Sequence, residues 1–229
     1  MHNNSPILIT GCPRSGTSMI AGMLSLSGVF SGVTDKMHEN IPIREGLVKN
    51  YLRQVGMGEN GHYPLISKYP LVFPEYWNEK VMTEINKQGL LDSTWMYKDC
   101  RNALLWQLWY LSFPNAKWIV VRRNREDIIY SCQHTGYMRT FDNYEVCQNI
   151  GAENPTQAWS WMIDEYEMRF KKILKCNNAR EVWPEKIANG DFSEIKEVWN
   201  WLGLSWDDEK LKTYIQPKFY KHNKKEEIK

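Results

Sequence analysis

Cysteine is scarce and poorly spaced for cross-linking. The 229-residue chain has five (Cys12, Cys100, Cys132, Cys147 and Cys176), an odd number without a CxxC pair, which argues against a disulfide framework and against a zinc knuckle. No stretch reaches the ~20 apolar residues that span a bilayer, and the polar start at Met1 to Ser5 gives way to an apolar run too soon for a secretion signal. A cytoplasmic protein in a reducing compartment is therefore expected, with no membrane partner. Neither sign of charge dominates: 29 Lys plus Arg stand against 27 Asp plus Glu, a net +2. Such a balance makes no global field for nucleic acid or an anionic surface, so any anion site must be local. Internal repeats and compositional breaks are also missing. Residues 1–217 are expected to form one domain, followed at 218–229 by a charged, flexible tail with five lysines and two glutamates.

What is present is a regular alternation of strand-like and helix-like segments. Ile7 to Thr10 is a short apolar run, Gly11 to Gly16 a turn-rich loop, and Thr17 to Leu26 a helical pattern with Met19, Ile20, Met23 and Leu24 on one face. Trp95 to Lys98 and Lys117 to Val121 read as further strands, Pro74 to Gln88, Ala103 to Leu111 and Glu126 to Cys132 as helices. The longest helical pattern runs from Thr156 to Leu174, with Trp159, Met162, Ile163, Tyr166, Phe170 and Ile173 on one stripe; Phe192 to Leu202 is another, stopped by Gly203. Strands alternating with helices imply an α/β fold, a mostly parallel sheet flanked by helices. Between residues 28 and 46 there is no clear period, and a loop of that length in a compact domain is expected beside the active site.

Gly11-x-x-x-x-Gly16 between a strand and a helix gathers backbone N–H groups and a positive helix end around one anion, the geometry of a P-loop nucleotide-binding site. The lysine that normally follows the second glycine is missing, for Thr17 and Ser18 stand there. That counts against hydrolysis of a nucleoside triphosphate, while Arg14 places a cation inside the loop. The strand Lys117 to Val121 lacks a terminal aspartate for magnesium and runs instead into Arg122 and Arg123. Ser131, eight residues after Arg123, is two turns into the next helix, so arginine and hydroxyl could grip one phosphate. A solvated charge cluster capped by Asn124 is the plainer reading of the same residues.

Gly11-Cys-Pro-Arg-Ser-Gly-Thr-Ser18 resembles the 5′-phosphosulfate loop of the sulfotransferases that use 3′-phosphoadenosine 5′-phosphosulfate (PAPS). Arg123-Asn-x-x-Asp127-x-x-x-Ser131 resembles their 3′-phosphate motif, in the right order and on the expected elements. Tyr97-Lys98-Asp99-Cys100-Arg101 is similar to the Lys-Asp-Pro-Arg segment of the bacterial and Golgi-type branches, with Cys100 in place of proline, and Trp201-Leu-Gly-Leu204 to a C-terminal signature. The resemblance implies that Arg14, Ser15, Gly16, Thr17 and Ser18 hold the 5′ end of PAPS and that Arg123 and Ser131 hold its 3′-phosphate. It implies sulfonate transfer to a hydroxyl or amine of a small-molecule or glycan acceptor, with PAPS as co-substrate and no metal.

In-line transfer of this kind depends on positioning and charge stabilisation, for which Arg14 and Lys98 are the candidates. A base must also take the acceptor's proton. The cytosolic branch has a histidine two residues past the strand-end lysine, where this chain has Cys100. Other branches use a glutamate after the first helix, and Asp35, His38, Glu39 and Glu45 lie in that region. Glu45, next to an expected helix from Leu47 to Gln54, is the leading candidate, and His38 the second. Two other functions stay open on the sequence: a P-loop small-molecule kinase, and a non-catalytic protein that binds PAPS or its desulfated product, PAP.

Overall fold

The computed structural model describes residues 5–65, 73–91, 93–176 and 178–215; the tail expected at 218–229 lies outside them, as does part of the Pro64–Pro74 region. In chain order the elements are β1 (Ile7–Gly11), α1 (Thr17–Leu26), α2 (Ile41–Ile43), α3 (Lys49–Gln54), α4 (Trp77–Lys87), β2 (Met96–Lys98), α5 (Trp106–Ser112), β3 (Lys117–Val121), α6 (Arg125–Gln133), α7 (Tyr144–Asn149), α8 (Pro155–Cys176), β4 (Asn178–Val182), α9 (Pro184–Ala188), α10 (Ser193–Leu202) and α11 (Asp208–Tyr214). The four strands form one parallel sheet in the order β2-β1-β3-β4, which gives the α/β architecture expected from the alternation.

Period-two alternation along the strands divides the core between the two faces of the sheet. Leu8, Tyr97, Trp118 and Val120 point to one face, where α3, α4, α5, α6 and α8 cover them. Ile7, Ile9, Met96, Ile119 and Val121 point to the other, beneath α1, α10 and α11. The aromatic residues mostly build this core: Trp109 meets Tyr97, Trp77 and Phe113 at ring separations of 5.2–5.9 Å, and Trp159 meets Phe141 edge-on at 4.7 Å.

Several boundaries differ from the sequence pattern for local reasons. β4 carries only Ala179 and Val182 as buried residues among Asn, Arg and Glu, so this edge strand has no apolar run to announce it. The helix expected at Ala103 starts at Trp106, because the Asp99 carboxylate accepts from the Arg101 N–H and opens a 3₁₀ turn over Cys100–Asn102. The helix expected from Leu47 begins at Ile41, capped by the buried Asn40 side chain, and passes through a π turn at Arg44–Val48 into α3. α4 starts at Trp77, after Tyr76 in a left-handed conformation.

The chain leaves β1 for β2 on one side and leaves β3 for β4 on the other. The carboxyl ends of β1 and β3 therefore flank the point where the winding reverses, the place where open α/β sheets bind ligands.

Candidate active site

β1 and β3 are in register through Gly11 and Val121, so the two loops that follow them start at the same height. The loop after β1 is tight. A Cβ on Gly11 would lie 2.4 Å from Ser15 Oγ and 2.7 Å from the Val121 carbonyl. Arg14 (φ 69°) and Gly16 (φ 96°) both adopt the left-handed conformation, and the Ser15 N–H closes a turn to the Cys12 carbonyl at 3.1 Å. No side chain caps the first turn of α1, and the fully buried Ser15 Oγ has no hydrogen-bond partner. A loop with an uncapped helix end and an orphaned buried hydroxyl fits an anion.

After β3, Asn124 caps α6 by accepting from the N–H groups of Glu126 and Asp127, which sets Arg123 at the strand end and Ser131 on the helix. Arg123 Nη1 donates to the Arg14 carbonyl at 2.8 Å, and Arg123 Nε lies 4.0 Å from an Asp127 oxygen. Arg14 in turn donates from Nε to Ser131 Oγ at 3.0 Å and from Nη1 to the Tyr137 hydroxyl at 2.8 Å. Three residues singled out far apart in sequence, Arg14, Arg123 and Ser131, thus share one place, next to Ser15 through Ser18. Tyr137 joins them with no motif in the sequence to mark it.

A second cluster lies at the end of β2. Lys98, level with Ile9 of β1, has a side chain only 4% exposed, and its Nζ donates to Glu39 Oε1 at 2.9 Å. The other Glu39 oxygen accepts from Arg101 Nη2 at 3.0 Å and Arg44 Nη1 at 2.9 Å. Glu39 is presented by a turn in which Asp35 Oδ1 accepts from the N–H groups of Met37 and Glu39, while the Asp35 N–H donates to the Glu39 carbonyl. The aperiodic stretch from 28 to 46 is thereby built around a defined hairpin-like turn, with a bridge between Thr34 and Asn40. Behind Arg101, the buried Asp99 accepts from Arg101 Nε at 2.7 Å and from the Tyr97 hydroxyl at 2.7 Å. Burial works to raise the Asp99 pKa, but the Arg101 charge and these hydrogen bonds outweigh it and hold the carboxyl below its usual range.

His38 stands next to Glu39 with φ 59° and its Nε2 3.5 Å from the Tyr214 hydroxyl. Burial, then the Lys98 charge, lowers its pKa, so the imidazole is neutral near pH 7. Glu45 is placed differently. Its side chain is 45% exposed and accepts from Arg44 Nε and Lys49 Nζ at 2.8 and 2.9 Å. Burial works to raise its pKa, but the bonds from Lys49 and Arg44 leave it lowered. The oxygen beside Lys98 belongs to Glu39. At Cys100, where the cytosolic branch has its histidine, burial pushes the thiol up to about 12, so it remains protonated and its backbone carbonyl accepts from Thr10 Oγ1. Among the described residues no group of three or more His, Cys, Asp or Glu converges as a metal site, and no helix is long and apolar enough to cross a membrane.

Comparison with known proteins agrees with this geometry. No curated protein matches the sequence. Among solved structures, a sulfotransferase domain from the curacin biosynthetic pathway superposes with a TM-score of 0.55 at 14% identity, covering 94% of this chain and 79% of that one. STF9 from Mycobacterium avium gives 0.55 at 10% identity over 93% and 67%, and STF1 from Mycobacterium tuberculosis H37Rv gives 0.51 at 13% over 93% and 70%. These likenesses carry the fold. Family membership comes from the sequence itself, which matches the sulfotransferase family over residues 6–208, and so through the glycine loop, the strand-end arginine and both clusters: this chain belongs to the sulfotransferase family.

Proposed function

We propose that the protein transfers a sulfonate group from PAPS to a hydroxyl or amine of a small-molecule or glycan acceptor. The observation that carries this reading is the pairing of two anion sites at one end of the sheet, the loop with its orphaned Ser15 hydroxyl and the Arg14, Arg123 and Ser131 cluster. A nucleotide with phosphate at both ends of its ribose fits two such sites, and a triphosphate does not call for the second. When bound, PAPS supplies an activated sulfonate at its 5′ end and a 3′-phosphate as a handle. Ser15, Gly16, Thr17 and Ser18 hold the 5′ end through the loop and the start of α1, and Arg123 and Ser131 hold the 3′-phosphate.

Lys98, a buried cation in contact with Glu39, counters charge as the sulfonate moves; Arg14 does so from the loop side. Glu39 takes the acceptor's proton in preference to Glu45 or His38, because it is the carboxylate in contact with Lys98. Its Oε1 is the oxygen shared with Lys98, whereas Oε2 stays fixed by Arg101 and Arg44. Lys98 turning toward an incoming anion releases Oε1 for the proton. The five unpaired cysteines support a reducing, cytoplasmic setting.

Sulfur-labelled PAPS with a pool of acceptors tests the reading directly, with labelled product as the expected outcome. PAP at a hundred times its dissociation constant should add about 2.7 kcal/mol, or roughly 5–10 °C in melting temperature for a chain of this length. A larger shift with ATP and magnesium would favour a kinase, and a PAP shift without labelled product a binding protein.

A further inference from the structure

Tyr137 is 67% exposed, yet its hydroxyl is engaged at the solvent edge of the cluster beyond β3, accepting from Arg14 Nη1 at 2.8 Å. Ser131 stands in the same relation to Arg14, accepting from Nε at 3.0 Å. Two hydroxyls therefore bracket one guanidinium, Ser131 on the inner side and Tyr137 on the side toward solvent. The segment that presents Tyr137 is anchored: Met138 is buried, its N–H closes a turn to the Thr135 carbonyl at 3.0 Å, and Thr135 Oγ1 donates back to the Ser131 carbonyl. The two hydroxyls are thus tied to each other through one short stretch of backbone.

A hydroxyl accepts from a cation and, with its proton rotated, donates to an anion. A guanidinium prefers an anion to a neutral oxygen, because the charge-assisted bond is about twice as strong and can be bidentate. A phosphate monoester dianion arriving at Arg123 and Ser131 would draw the two hydroxyls to its oxygens, and Arg14, released from them, would turn to the charge at the 5′ end.

We propose that Tyr137 is a second hydroxyl ligand of this anion site and so helps to set the preference for a donor nucleotide that carries a 3′-phosphate. The inference rests on the assignment of the 3′-phosphate to Arg123 and Ser131 given under Proposed function. Tyr137 lies outside the residues that the family motifs point to, and its chemistry is that of a rim donor to a phosphate monoester.

Titration calorimetry with PAP and with AMP, which lacks the 3′-phosphate, tests it. Tyr137→Phe keeps the exposed ring and removes one oxygen, so the unliganded protein should melt as the wild type does. The variant should bind PAP 3- to 10-fold more weakly and AMP equally well, and under turnover KM for PAPS should rise with kcat unchanged. Equal loss for PAP and AMP would mean that Tyr137 only steadies Arg14 and the glycine loop, and the proposal falls. It falls alone if the wild type prefers PAP over AMP and Tyr137→Phe keeps the whole preference. A wild type without any preference for PAP removes the 3′-phosphate assignment and the Tyr137 role together.

Discussion

In the glycine loop the Arg14 guanidinium meets neutral hydroxyls, and at the end of β2 the cations meet carboxylates. Arg14 is held by two hydroxyls and Arg123 by a backbone carbonyl, with Asp127 at 4.0 Å. Lys98, Arg101 and Arg44, by contrast, all converge on Glu39, and Asp99 and Asp35 take further bonds from the two arginines. A guanidinium on neutral partners keeps nearly its full charge for an arriving anion. A cation matched to a carboxylate must be drawn off it, and what is then exposed is a basic oxygen. The first region suits binding of a charged donor, and the second suits holding a proton acceptor in check until charge arrives.

The largest effect that can break this contrast is on turnover. Glu39→Gln keeps the shape and one accepting oxygen for Arg101 and Arg44 but loses basicity and the acceptor facing Lys98, so it should lower kcat by about 10²–10⁴-fold while PAP affinity stays near that of the wild type. Lys98→Ala should act in the same direction, lowering turnover more than PAP binding, because charge that grows in the transition state is its target. A Glu39→Gln enzyme with ordinary turnover would show the carboxylate to be a structural counterion. Activity lost instead in His38→Ala would move the base by one residue.

The next effect separates the regions by pH. His62 is buried edge-on against Trp159, and burial, followed by the Arg101 charge, brings its pKa down to about 4 from an ordinary 6.5. Between those values the unfolded chain binds a proton that the folded chain does not. Stability is therefore full above pH 6.5 and falls as pH drops toward 4, by about 3 kcal/mol in all. Asp99 and Asp35, with carboxyls held below their usual range, add to the loss at still lower pH as they become protonated. Urea melts at pH 7.5 and 4.5 should show the decline, and His62→Gln should flatten it. His62 feels the Arg101 charge, so the slope belongs to the β2 side, and Arg14→Ala should leave it in place.

How much of this was legible beforehand follows the same division. The glycine loop and the strand-end arginine announce themselves, since each sits between an apolar run and a helix; α1 and β3 span the residues expected, Thr17–Leu26 and Lys117–Val121. Their convergence then follows from adjacent parallel strands. Glu39 was one of four candidates in an aperiodic stretch, and no local pattern says which of them faces a lysine 59 positions away. That choice is made by the Asp35 turn together with the pairing of β2 against β1. Nor does sequence distinguish Tyr137 from the other exposed tyrosines, because its hydroxyl contact depends on a turn anchored by Met138. β4 leaves no signal in the sequence because an edge strand with two buried residues needs no apolar run.

A smaller effect tests the donor side. Arg123→Ala should weaken PAP by about 10- to 100-fold, and Ser131→Ala by about 3- to 10-fold, with adenosine 5′-phosphosulfate, which lacks the 3′-phosphate, bound as before. Arg123 also supports the Arg14 carbonyl, so equal losses for both ligands would mean that it shapes the loop and does not read the phosphate.

The smallest expected effect is the most discriminating for the acceptor side. Glu45 was the carboxylate that sequence favoured as base, and it shares Arg44 with Glu39, from the Nε side of the guanidinium. Its two ion pairs are with Arg44 and Lys49 at a half-exposed position, where such pairs contribute about 0–1 kcal/mol. Arg44 keeps its bonds to Asp35 and Glu39 when Glu45 is neutralised. Glu45→Gln should therefore change kcat by no more than about threefold, the range expected if Arg44 shifts slightly, and should leave PAP affinity untouched. Measured beside Glu39→Gln, it turns the comparison into a ratio: a deep loss for one glutamine and almost none for the other places the proton acceptor against Lys98. A dead Glu45→Gln with an active Glu39→Gln would put it on the helical side of Arg44, and the Glu39 cluster would then be a scaffold for Lys98 alone.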